Sequence, residues 1–203
     1  EGDEGFIKTM VIDNTDYNEI YMDKPTKQRI ANLHPSVRDE VTLIIEECDK
    51  ALSGKAKIRI TEGLRTIEEQ NLLYAKGRTL AGKKVTNAKG GQSIHNYGFA
   101  VDMCLIIDEK EASWDTKKDW DNDKIADWYE CVKIFAKNGW EWGGNWKTFK
   151  DMPHFEKRYL NSWQKLSKLK KDKNGYVILN EIKYEKTIFY FCFTVCFVIY
   201  GSR

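Results

Sequence analysis

The ten residues from Gly98 to Ile107 read "GFAVDMCLII" and are apolar at nearly every position. Apolar residues on both alternating sets predict a central strand covered on two faces. One residue does not fit. Asp102 stands in mid-run, where a carboxylate is costly to bury unless a basic side chain or a cation meets it.

Working outward, the flanking segments supply the cover. Ser36 to Leu52, "SVRDEVTLIIEECDKAL", is apolar at 37, 41, 44, 45, 48 and 52. That spacing predicts a helix with Ser36 as N-cap and Gly54 just beyond its end. "KIRITEG" (Lys57–Gly63) alternates Ile58 and Ile60 with charges, as a half-buried strand does. In "TIEEQNLLYAKG" (Thr66–Gly77), Thr66 and Glu69 form a capping-box pattern and Gly77 a stop. A Gly- and Lys-rich loop, "AGKKVTNAKGGQS", then leads to His95.

"DKIADWYECVKIFAKNG" (Asp123–Gly139) predicts another helix, followed by the turn-and-strand segments "WEWGGNW" and "MPHFE". The order of elements predicts an α+β fold, a small, mostly antiparallel sheet flanked by helices. Residues 1–25 show no sustained period and are expected to be irregular. A single domain is expected over 26–162. The basic stretch 163–186, with "KLSKLKKDK", reads as a linker, solvated rather than built to touch an anionic surface.

Residues 187–203 form an apolar tail. Its core, "TIFYFCFTVCFVIY" (Thr187–Tyr200), would reach about 21 Å as a helix, short of a ~30 Å hydrocarbon core. A strand fits its β-branched and aromatic content as well, so no clear membrane span is expected. "EGDEGFIKTM" at the start is not a secretory signal. The chain begins with Glu rather than Met, which leaves a lost leader open.

Lysines and arginines number 33 and aspartates and glutamates 31, a balance that gives no argument for nucleic acid, whose readers carry a concentrated basic face. A monomer is expected. Five cysteines form no C-x-x-C pair and read as reduced core thiols.

The chain holds three histidines. His34, before Pro35, reads as a capping or surface residue. His95 and His154 both lie in Gly- or Pro-punctuated segments that flank strands. With Asp102 they offer N, O and N donors, and catalytic zinc sites use three protein ligands and leave a fourth position to water. The spacing is not that of H-E-x-x-H.

These segments resemble a known family. "SIHNYGFAVD" is similar to the S-x-H-x-x-G-x-A-x-D motif of the VanY-type zinc peptidases, and "DMPHFE" to their later D-x-P-H-F motif. "ITEGLRTIEEQNLLYAKGR", "VTNAKGGQS" and "GWEWGGNW" resemble the same family, over about residues 28 to 160. Within it they are most similar to the L-alanyl-D-glutamate endopeptidases of phage endolysins and bacterial wall-remodelling enzymes. The resemblance implies the fold of Hedgehog domains and D-Ala-D-Ala peptidases, with Zn2+ on His95, Asp102 and His154. It also implies Asp151 as catalytic acid/base and Arg65 beside the scissile carbonyl. Ser93 takes the position of a substrate-contacting serine, and Gln70 a recurrent position that reads as supporting.

The substrate implied is the peptidoglycan stem peptide. A D-alanyl-D-alanine carboxypeptidase and a non-catalytic zinc-stabilised binding module are the alternatives. Glu156 and Glu141 are rival bases. Trp140, Trp142 and Trp146 are core aromatics by default, with Trp142 expected to wall the cleft.

Overall fold

The computed structural model describes residues 22–160 and 162–179. Strand β2 (Ala100–Ile107) lies at the centre, buried along its whole length except at Asp102. β1 (Ala56–Glu62) pairs with one edge. On the other edge, the first half of β2 pairs with β5 (His154–Glu156) and the second half with β3 (Glu111–Ser113). β4 (Glu141–Trp142) continues the sheet beyond β5. Every pairing between these five strands is antiparallel.

One face of the sheet makes the core. Ile58 and Ile60 of β1, Val101, Met103 and Leu105 of β2, and Phe155 of β5 pack against two helices. These are α2 (Arg38–Ala51), through Val41, Ile44, Ile45 and Cys48, and α4 (Asp127–Lys137), through Trp128, Cys131 and Phe135. Cys48, Cys104 and Cys131 are buried free thiols, while Cys192 and Cys196 lie outside the described residues. The opposite face of β2 and β5 carries Asp102, His154 and Glu156, which period-two geometry sets together.

The outer edge of β1 is closed by a helix absent from the sequence reading, α1 (Lys24–Asn32). Asp23 caps it, accepting the Thr26 N–H, and also pairs with Arg59. Thr26 Oγ1 accepts the Ile60 N–H at 3.1 Å, and Arg29 donates to the Ile60 carbonyl at 3.0 Å. The unpaired strand groups are thereby satisfied by side chains. The expected irregular start therefore ends by residue 23; the rest of it, residues 1–21, lies outside the described residues.

Helix α3 (Ile67–Ala75) starts at the capping box of Thr66 and Glu69. Helix α4 begins at Asp127 rather than Asp123. Asp119 accepts the N–H groups of Asn122 and Lys124, and Asp123 that of Ile125, so side chains hold this backbone out of the helix.

The basic stretch expected as a linker packs onto the domain as far as residue 179. Ser162 caps α5 (Trp163–Leu166), and Leu166, Val177 and Leu179 are buried in the core. His34 is the anchor. Its Nδ1 accepts the Ser36 N–H, and its Nε2–H donates to the Val177 carbonyl at 2.8 Å, so it is a cap but not a surface residue. The apolar tail lies outside the described residues, and no described helix is long and apolar enough to cross a membrane.

Candidate metal centre and cleft

Asp102 and His154 are cross-strand partners in β2 and β5. His95 reaches them from a short 3-10 turn, Ile94–Tyr97, that Gly98 closes with φ 74°. A side chain at Gly98 would need the left-handed backbone and would also sit 2.5 Å from the His34 nitrogen. The close approach is held by the His34 N–H, which donates to the Gly98 carbonyl.

His95 Nε2, His154 Nδ1 and Asp102 Oδ1 lie 3.1, 3.1 and 3.2 Å apart pairwise. Ligands about 2.0–2.1 Å from a tetrahedral ion stand about 3.3 Å from one another, so the triangle has the size such an ion requires. The proton positions agree. His95 Nδ1–H donates to the Gly63 carbonyl at 2.7 Å, and His154 Nε2–H to Glu156 at 2.9 Å. Both rings thus turn a second nitrogen inward, the outer-shell pattern that orients metal-binding imidazoles. Glu156 is in turn held by Arg158. A divalent ion fits this donor set.

The same carboxylates also favour a proton on His154. Burial would disfavour a charged His154, but hydrogen bonds to Asp102 and Glu156 outweigh it and push the imidazole up to about 9. Burial likewise opposes ionisation of Asp102, yet the two histidines hold its carboxyl well below the usual range. The sequence left Asp102 between a basic partner and a cation. The structure provides for both, since Arg65 Nη2 lies 3.6 Å from Asp102 Oδ2.

Arg65 is clamped from several sides. Its backbone N–H donates to the His95 carbonyl, Nη2 lies 3.5 Å from Glu62, and Nη1 donates to Gln70 Oε1 at 2.9 Å. Gln70 is fully buried, and its Nε2 donates to the Ala88 carbonyl at 2.8 Å. It does not line the cleft; it ties Arg65 to the loop before His95.

The ligands open into a cleft of about 720 Å³ that Arg65, Ser93, Asp151 and Trp146 also line. Asp151 arrives through a turn: its N–H donates to the Gly143 carbonyl, and its carbonyl accepts the His154 N–H. Gly143 permits this, because a Cβ there would lie 2.5 Å from the Asp151 oxygen and 3.1 Å from the His154 Cβ. Burial and the charge of Asp102 raise the Asp151 carboxyl above its ordinary value.

Both rival carboxylates are engaged elsewhere, Glu156 as described and Glu141 with Trp146 Nε1 and Arg158. Trp142, expected at the cleft, is buried instead, its indole donating to the Met152 carbonyl at 2.7 Å. Trp146 takes the cleft position, its ring centroid 5.1 Å from that of His154. Phe149, Arg158 and Trp163 also line the cleft and were missed. For Arg158 a signal existed in its i+2 spacing from Glu156.

Residues 86–157 match the profile of a peptidase family described as D-alanyl-D-alanine carboxypeptidase. The chain is also 42% identical over 128 residues to the peptidoglycan L-alanyl-D-glutamate endopeptidase CwlK of Bacillus subtilis, covering 62% of this chain and 74% of that one. The chain belongs to the VanY-type peptidases. A solved structure, the L-Ala D-Glu endopeptidase ChiX of Serratia marcescens, superposes with a TM-score of 0.47 at 21% identity, over 72% of this chain and 96% of ChiX. This VanY-type peptidase thus carries its inward-facing donors within the matched region, whereas Arg65 and Gln70 lie before it.

Proposed function

We propose that this peptidase is a zinc-dependent peptidoglycan hydrolase of the bacterial cell wall that cuts the L-alanyl-D-glutamate bond of the stem peptide. The observation that carries the metal is the triangle of His95 Nε2, His154 Nδ1 and Asp102 Oδ1, whose three edges are 3.1–3.2 Å. Two nitrogens and one oxygen suit zinc better than calcium or magnesium, which take oxygen ligands. The bond assignment draws on the named relative.

Zinc, when bound, supplies a Lewis acid and a water acidified toward neutrality. The remaining work falls to the chain. Asp151, on the turn beside His154, takes a proton onto its carboxylate during attack and returns it to the leaving amine. Its raised carboxyl suits both halves of that exchange. Arg65 presents its guanidinium to the carbonyl oxygen as charge develops there, fixed in advance by Gln70 and Glu62. Ser93 and Trp146 hold the peptide against the cleft wall.

A second reading, a D-alanyl-D-alanine carboxypeptidase, is favoured by the description of the matched family. Digestion of purified peptidoglycan separates them. A newly exposed amino group on D-glutamate is the expected result, and free D-alanine without it establishes the carboxypeptidase. A protein that carries zinc and releases neither is a binding module.

A further inference from the structure

The turn-rich segment between β3 and α4 contributes nothing to the cleft, yet it gathers acidic groups. In the twelve residues Asp119–Glu130, "DWDNDKIADWYE", carboxylates fall at the first, third, fifth, ninth and twelfth places. This is the ligand spacing of an EF-hand loop, in which the seventh residue, here Ile125, gives its carbonyl and the sixth makes the sharp turn. Lys124 is that sixth residue and has φ 79°.

The donors converge. Carboxylate oxygens of Asp119, Asp121 and Asp127 lie within 4.8 Å of one another, as do those of Asp121, Asp123 and Glu130. An independent observation points to a ligand among them. Asp127 is fully buried, and although its Oδ1 accepts the Trp120 N–H, its Oδ2 has no hydrogen-bond partner. Glu130 Oε2 is buried without a partner as well. Two buried carboxylate oxygens without donors are costly in a folded chain unless something positive meets them.

We propose that Asp119–Glu130 is a calcium site, with Asp119, Asp121, Asp123 and Glu130 as carboxylate ligands and Asp127 bound directly or through a water. An all-oxygen set with five carboxylates fits calcium, whereas zinc is drawn to the imidazoles of the other centre. The ion would join two parts of the fold. Asp121 accepts the Ser53 hydroxyl at 2.9 Å, and a Cβ at Gly54 would lie 2.8 Å from its own Cβ. Calcium therefore ties the turn after α2 to the first turn of α4.

The test is a calorimetric calcium titration of the zinc-loaded chain, with terbium as a luminescent probe sensitised by Trp120. The wild type is expected to bind one calcium with a Kd of about 10⁻⁷ to 10⁻⁵ M and to release terbium when calcium is added. Glu130→Gln is expected to weaken binding about 100-fold, and Asp123→Asn, at an exposed position, about tenfold, both at unchanged zinc content. Asp123→Asn decides the matter if the first variant does not fold. Absence of saturable binding in the wild type at millimolar calcium overturns the site, as does wild-type affinity in Asp123→Asn and in any folded Glu130→Gln.

Discussion

Asp102 and His154 stand directly opposite each other across β2 and β5, with Oδ1 and Nδ1 3.1 Å apart. Strand pairing therefore sets the distance between two proposed ligands 52 residues apart in sequence. A one-residue slip of β5 would turn His154 into the core and Phe155 toward the cleft.

Asp102 and Glu156 push the His154 imidazole up to about 9, so zinc binding would compete with a proton there. Zinc affinity is expected to rise about tenfold per pH unit below that value and to level off above it, measured by competition with a chromophoric chelator. In the metal-free protein the sign is opposite. A raised imidazole stabilises the fold fully below its ordinary value, and that contribution is lost as pH rises toward 9. Glu156→Gln, which replaces the carboxylate behind His154, is expected to weaken zinc binding about 10- to 100-fold.

Asp151 is raised by burial and by Asp102, and only its ionised form can accept a proton. The acid limb of kcat/KM is expected above the ordinary range of an aspartate, with activity rising as pH rises through it. Asp151→Asn should lower hydrolysis about 10²- to 10⁴-fold at unchanged zinc content. Unchanged hydrolysis in that variant would pass the role to Glu156 or Glu141.

Gln70→Ala removes the acceptor for Arg65 and the donor to the Ala88 carbonyl. Two partly buried groups each lose a partner, so a stability loss of about 1–2 kcal/mol is expected in denaturant unfolding. Hydrolysis should fall with zinc retained, because the guanidinium loses its orientation. Gln70→Glu keeps the acceptor and is expected to recover hydrolysis in part. Equal activity in all three proteins would leave Gln70 with no more than a packing role.

His34 is held neutral. Burial lowers its imidazole below the ordinary value, against a smaller opposing effect of the Val177 carbonyl. A depressed imidazole favours the fold above its unfolded value of about 6.5, and that contribution disappears as pH falls below it. Protonation would also place a hydrogen on Nδ1, which accepts the Ser36 N–H. The unfolding midpoint of the zinc-loaded protein is expected to drop more between pH 7 and 5 than that of His34→Gln.

The sequence made β2 legible because a strand buried on both faces leaves an unbroken apolar run, and the Asp102 interruption marked the site. The capping box of α3 was legible because two side chains at fixed spacing define it. Helix α1 was not, since only Thr26 and Ile30 of its nine residues are buried and no stripe forms. Trp142 and Trp146 were exchanged because a two-residue strand followed by a 3-10 turn offers no period from which to read a facing. The 163–179 segment was hidden by its lysines, which surround the few apolar residues that pack.

That last segment governs how the protein can be shortened. Leu166, Val177 and Leu179 belong to the same buried core as the apolar residues of the first two helices, and Tyr176 receives a hydrogen bond from Arg38 and donates one to the Asn32 carbonyl. A recombinant fragment cut at 157, where the family match stops, would lose these core side chains and leave the His34 Nε2–H without its acceptor. Trimming for crystallisation or for fusion to a wall-targeting module therefore has its safe C-terminal limit at residue 179 or later.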